Sequence, residues 1–251
     1  MEQTLLTDQD NALAWADGAA DRSWFQRFAE QVNADLETAG FPRCPGGYMA
    51  RWWNGPISEW RERFAGWIES PAPEALLEAA VFFDFRRVAG ELDVGPLDRV
   101  LEGARRAPAF LRSLARAALD FKPPGALLLR LRGESSAMDL KAQGIAPVVF
   151  LARCYGLELG GATRSTVARL DAAAQAGKLP EETFANAAEA YRFLVGLRLR
   201  LQLRSIAAGR PAAGEATLAE LEAMERTRVK DSLRAVKALQ EAGAAHFRTD
   251  Y

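Results

Sequence analysis

Thr7-Asp8-Gln9-Asp10-Asn11-Ala12-Leu13 sets two aspartates one residue apart, just ahead of the apolar run Ala12-Leu13-Ala14-Trp15. Side chains alternate along an extended strand, so a strand here would put Asp8 and Asp10 on one face. Two carboxylates on one face offer oxygen ligands to hard divalent cations. A pair of such cations is suited to in-line transfer of a nucleotidyl group. The same spacing fits a solvated turn ahead of a strand. Spacing alone leaves both readings open.

The 251 residues, 49% of them hydrophobic, are enough to bury a core in one or two domains. Lys+Arg 32 against Asp+Glu 33 gives a net charge of -1, so no global basic field argues for nucleic acid. Cys44 and Cys154 cannot make a disulfide framework, and the single His246 removes most zinc sites. The N-terminus is acidic and polar, unlike a signal peptide. No apolar run approaches the roughly 18 residues of a membrane span. A reducing cytoplasm is the expected location.

Moving along the chain, Asp17-Gly18 predicts a turn and residues 21–39 a helix. Asp21 or Ser23 would cap it. Trp24, Phe25, Phe28, Val32 and Leu36 recur at helical spacing, and Gly40 ends it. Phe41 to Gly47 holds two prolines and two glycines and is irregular. Cys44 in this loop reads as a structural or a reactive thiol. Tyr48 to Trp53 predicts a short strand. Ser58 would cap the next helix, with Trp60, Phe64, Trp67 and Ile68 on one face. The tryptophans from Trp52 to Trp67 fit core packing or a base-stacking platform. Pro71 or Pro73 opens a helix running from Glu74 through Phe85. Asp84 and Arg86 stand in an apolar stretch and need partners if buried.

From Pro96 onward the sequence predicts helices: Leu97 to Ala104, Pro108 to Phe121, Ala146 to Gly160, Ser165 to Ala176, Pro180 to Gly209 and Thr217 to Phe247. Glycines and prolines mark their ends. In the second helix Phe110, Leu111, Leu114, Ala118 and Leu119 point inward. Leu127 to Leu131 fits strand or helix, and Gly133 to Ala137 reads as a loop. Long amphipathic helices with short loops predict an antiparallel bundle. Lys141 stands at a helix start, with Gly144 permitting close backbone approach. A helix N-terminus beside a cation suits an anionic ligand. Equally, Asp139 and Lys141 could simply cap and solubilise the helix. Arg198 and Arg200 point about 200° apart, so at most one faces a given pocket. Arg169 and Arg192 are expected on a solvated face.

The words around the aspartates carry a resemblance. Glu2-Gln-Thr-Leu-Leu-Thr-Asp8-Gln-Asp10-Asn-Ala-Leu13 and Gly40-Phe-Pro-Arg-Cys-Pro-Gly-Gly-Tyr-Met-Ala50 resemble a nucleotidyltransferase family of bacterial signalling proteins. That family is related to the N-terminal part of protein-PII uridylyltransferase and often carries upstream cyclic-nucleotide-binding and CBS modules. Asp139-Leu-Lys141 through Pro147, Leu151-Ala-Arg153, Thr166 to Leu170, Glu189 to Leu194, Leu197 to Leu203, Val229-Lys-Asp231 and Gln240 match its substrate-binding domain, with Leu201 where a His is common. The match runs in order over nearly the whole chain.

The resemblance implies a mainly α protein: a truncated polymerase-β-like α/β layer over residues 1–95, then an antiparallel helical bundle over 96–251. It implies Asp8 and Asp10 as ligands for Mg²⁺ or Mn²⁺, and a nucleoside triphosphate as substrate. In the family an acidic residue, an Arg and Ala-Gly-Asp join the sheet to the helical domain. Here Glu91 replaces that Asp, Asp84 is the candidate third catalytic carboxylate, and Arg86 is its partner or a phosphate contact; a structural ion pair tying the two domains together is the equal alternative. Lys141 is the second candidate phosphate contact. The family's Gly-Ser phosphate loop is not in the sequence before Glu2, so transfer by this chain is expected to be impaired. The implied activity moves a nucleoside monophosphate to a protein or small-molecule hydroxyl, with a signalling protein as possible acceptor. The alternative is a non-catalytic nucleotide-sensing or protein-interaction module. Neither membrane nor nucleic acid is an expected partner, and oligomeric state is left open.

Overall fold

The computed structural model describes residues 5, 7–19, 21–121, 137–161, 163–212 and 215–249. The expected prolines 123 and 124, the run Leu127 to Leu131 and loop residues 133–136 lie outside these. The chain is mainly helical and divides into two compact units, Thr7–Phe110 and Met1–Leu6 with Leu111–Tyr251. Residues 96–110 thus cluster with the first unit.

In the first unit, β1 (Leu13–Trp15) pairs in parallel with β2 (Asn54–Pro56), Leu13 opposite Asn54. A parallel pair needs a long crossover. Helix α1 (Arg22–Thr38) lies within that connection, and Asp21 caps it by accepting from Trp24 N–H. The strand expected over Tyr48 to Trp53 is instead turns, and pairing begins only at Asn54. The Asn54 side chain accounts for this: Nδ2 donates to the Ala50 carbonyl at 2.8 Å and holds the chain in a turn. Asp8 and Asp10 lie before β1, outside any ladder.

Helix α2 (Ile57–Glu69) begins one residue before Ser58. Its first turn is capped from a distance, because Asp17 accepts from the Ser58 N–H at 3.1 Å and hydroxyl at 2.6 Å. Helices α3 (Pro73–Phe82) and α4 (Gly95–Gly103) pack on α2. Phe64 is 1% exposed, and Trp60, Trp67, Phe82 and Phe83 are buried with it. Trp53 meets Phe82 at 4.6 Å between ring centroids. Most of the aromatic run is therefore core; Trp52 alone among its tryptophans is exposed, with Arg51 over its ring at 4.5 Å. On α1 the expected apolar stripe is displaced. Ala29 and Asn33 are buried, while Trp24 and Phe28 stack on each other at the surface.

Helix α5 (Pro108–Leu119) buries Phe110, Leu111, Leu114 and Ala118, as its periodicity predicted; Ala115 is buried as well and Leu119 is only half-buried. In the second unit, β3 (Ala137–Asp139) and β4 (Glu215–Thr217) form an antiparallel pair that periodicity did not foresee. A π-helical turn (Lys141–Ile145) follows β3 and runs straight into α6 (Ala146–Glu158). Helices α7 (Thr166–Gln175), α8 (Glu181–Ala207) and α9 (Ala223–Phe247) follow among the described residues. Helix α8 packs on α9, α6 on α7 and α9, and α7 on α8. No helix among the described residues is long and apolar enough to cross a membrane.

Candidate functional site

Asp8 and Asp10 converge although no strand carries them. Their carboxylate oxygens and the Cys44 sulfur all lie within 4.8 Å of one another. Asp8 is half-buried and Asp10 exposed, so the pair opens to solvent. The intervening Gln9 points the other way and is 3% exposed. Alternation of facing therefore survives without ladder pairing, and backbone bonds to a distant loop are the reason. The N–H groups of Gln9, Asn11 and Leu13 bond the carbonyls of Pro42, Tyr48 and Trp53 at 3.0–3.1 Å, tying the odd residues to the 42–53 loop. The even residues are left facing away.

Cys44 is the third member of the group, and Asp84 is not in it. Burial pushes the Cys44 thiol up, and its hydrogen bond to the Asp10 carboxylate adds to this. N–H groups of Tyr48 and Gly46 act in the opposite direction. The thiol is therefore protonated near neutral pH and donates to Asp10. Burial also raises the Tyr48 phenol, reinforced by Glu78 of α3, Cys44 and Asp10. With the sulfur held as a thiol, the donors left are carboxylate oxygens, which fit Mg²⁺ or Mn²⁺. A reactive-thiol role for Cys44 is not what this environment produces.

Asp84 follows α3 and is half-buried; Arg86 is exposed. Lys141 belongs to the other compact unit and is exposed at the start of the π-helical turn. The amides there are already used: Asp139 Oδ1 accepts from Lys141 N–H at 2.8 Å and Ala142 N–H at 3.1 Å. Capping is thus what this helix start does with its backbone. Gly144 serves packing, since a Cβ there would lie 2.8 Å from Leu194 Cδ1.

Arg169, expected on a solvated face, is 3% exposed. Its Nε donates to the Thr163 carbonyl at 2.8 Å, which lets the guanidinium stay inside. Arg192 is exposed as expected. Arg198 is buried and Arg200 exposed, in line with their angular separation; burial lowers Arg198 and Asp139 partly restores it. A groove between α8 and α9 includes Glu189, Phe193, Arg228 and Ser232. Its charges satisfy each other, with Arg228 paired to Glu189 at 3.3 Å and lying over Phe193.

Sequence reasoning missed Gln9, Asn33, Cys44 and Tyr48 as parts of the site. Only Gln9 carried a signal, through its opposite parity to the aspartates.

The site is thus a close acidic pair on an irregular segment that leads into a parallel strand pair. Residues 1–74 match the family model described as "Putative nucleotidyltransferase". Residues 108–247 match that described as "Putative nucleotidyltransferase substrate binding domain". The second match spans more than half of the chain, and the chain belongs to this family. No curated protein matches it.

Proposed function

We propose that this chain is a metal-dependent nucleotidyltransferase-like signalling protein of the cytoplasm, similar to the N-terminal part of protein-PII uridylyltransferase. Its first unit is then a polymerase-β-like layer and its second an antiparallel bundle that receives the substrate. The single observation carrying the reading is the convergence of the Asp8 and Asp10 carboxylates within 4.8 Å. Asp8 and Asp10 would hold a Mg²⁺ or Mn²⁺ ion. Bound there, such an ion neutralises triphosphate charge and orients the phosphates.

The reaction joins the oxygen of a protein or small-molecule hydroxyl to the α-phosphorus of a nucleoside triphosphate. The bond from α-phosphorus to the bridging oxygen breaks, pyrophosphate leaves, and the hydroxyl proton is released. Positioning supplies much of the rate in such chemistry. Arg86, exposed in the first unit, would provide a cationic side chain for phosphate oxygens, and Lys141, exposed in the second, is a candidate phosphate contact within its own unit. Asp84 is the remaining acidic candidate.

The test is titration with Mn²⁺, alone and with each common ribonucleoside triphosphate. We expect weak Mn²⁺ binding that is lost in the Asp8→Asn, Asp10→Asn double variant, and nucleotide binding that tightens with the metal. Two carboxylates leave most ligand positions to water and phosphate, hence the weakness. An unchanged Mn²⁺ isotherm in the double variant would overturn the reading.

A further inference from the structure

The segment bearing the aspartates has no strand pairing to fix it, yet its side chains alternate cleanly. Beside the backbone bonds to the 42–53 loop, the segment is held by a buried amide cluster centred on Asn33 of α1, which is 1% exposed. Its Nδ2 donates to Gln9 Oε1 at 2.9 Å and to Asn11 Oδ1 at 3.0 Å. Its Oδ1 accepts from Arg51 N–H at 2.9 Å, and its backbone carbonyl from Gln9 Nε2 at 3.0 Å. Gln9 Nε2 also donates to the Phe41 carbonyl at 2.9 Å, and Asn11 Oδ1 accepts from Ala50 N–H at 2.8 Å. One side chain thus ties both flanks of Asp10, through residues 9 and 11, to the two ends of the loop that carries Cys44.

We infer that Asn33 is the positioning residue of the Asp8–Asp10 pair, holding the carboxylates at one separation through Gln9 and Asn11. The inference rests on the reading of that pair as a metal site. In this role Asn33 acts on the carboxylates through residues 9 and 11 and helps to fix the parity of the segment. A buried donor or acceptor stripped of its partner has to find a new one, so losing Asn33 frees Gln9 and Asn11 to rotate. Groups that orient metal ligands from behind typically change metal affinity by about 10–100-fold when removed.

The experiment uses the full chain with Asn33→Ser and, from the other side of the cluster, Gln9→Met. Gln26→Ala is the control: it breaks similar bonds, to the Arg51 carbonyl and Asn54, without touching residues 9 or 11. Melting curves establish that each variant is folded. We expect Mn²⁺ affinity to fall about 10–100-fold in Asn33→Ser and Gln9→Met and to hold in Gln26→Ala, whatever each costs in stability. Backbone residual dipolar couplings at residues 8–10 of the metal-free protein should change in the first two variants only. Folded Asn33→Ser or Gln9→Met protein with unchanged couplings and affinity would overturn the inference. If wild-type protein binds no Mn²⁺, the metal reading fails and the couplings alone decide whether Asn33 positions the pair.

Discussion

Arg169 of α7 crosses directly over Gly156 of α6: a Cβ at 156 would lie 2.9 Å from each of Arg169 Cγ, Cδ and Nε. The bare backbone of one helix is what makes room for the buried arginine of the next. Gly156→Ala therefore overpacks this crossing and should cost about 1–3 kcal/mol. A thermal melt should show a midpoint lower by several degrees. An unchanged midpoint would mean that Arg169 leaves the crossing freely.

Gly144 and Leu194 are coupled in the same way, with 2.8 Å between a Cβ at 144 and Leu194 Cδ1. Leu194 is fully buried, so Leu194→Ala should cost about 2–5 kcal/mol. In Leu194→Ala protein the further change Gly144→Ala meets only Leu233 Cδ2, at an ordinary 3.7 Å, and should cost little. The double variant should accordingly be more stable than the sum of the singles predicts. Strict additivity in denaturant titrations would count against this contact.

Asp139→Ala removes the acceptor for the Lys141 and Ala142 amides. Loss of such a cap typically costs about 1 kcal/mol. Asn should recover most of that stability, because its amide oxygen can accept the same bonds. Equal loss in Asp139→Asn and Asp139→Ala would point instead to the charge, acting on Arg198.

Two carboxylates link elements of the first unit in a way that depends on pH. Ser58 holds the Asp17 carboxyl below its usual range, through its hydroxyl first and its N–H second. Arg22 does the same for Glu59, by a paired hydrogen bond at 2.9 Å on each oxygen. A depressed folded pKa stabilises the protein above the unfolded value, about 3.9 for Asp and 4.3 for Glu. That stability is lost as pH falls through the lower folded values. Wild type should thus melt higher than the Asp17→Asn, Glu59→Gln variant at pH 7, and the gap should close in strong acid. A gap of constant size across the titration would exclude these two groups.

Cys44 and Cys154 are both free and buried. Burial pushes the Cys154 thiol up to about 12. Alkylation of native protein at mildly alkaline pH should therefore be slow at Cys44 and slower at Cys154. Asp10→Asn removes a carboxylate that raises Cys44, and should speed its modification, read by peptide mass spectrometry. Faster reaction at Cys154 than at Cys44 would contradict the assigned environments.

Most of the helical content was readable from the sequence, because helix starts, stops and apolar periodicity are local properties. Pro108 to Leu119 shows this, with nearly every inward residue foreseen. The pair Asp8 and Asp10 was also legible, since only parity is needed to place them together. The sequence could not show what replaces a strand beneath them. Gln9, Asn33 and Arg51 are far apart in the chain, and an asparagine inside a helix has no local signal for burial. Trp24 and Phe28 stand at the helical spacing read for them, but periodicity only marks an apolar stripe, and the packing partner decides which side of it is covered. Arg169 is buried because Gly156 happens to lie opposite, and Cys44 enters the site because the loop from Phe41 folds back under Asp10. Side chains at local spacing are thus written in the sequence. Which buried polar groups find partners is settled only when distant segments meet, because a hydrogen bond has to be closed at both ends.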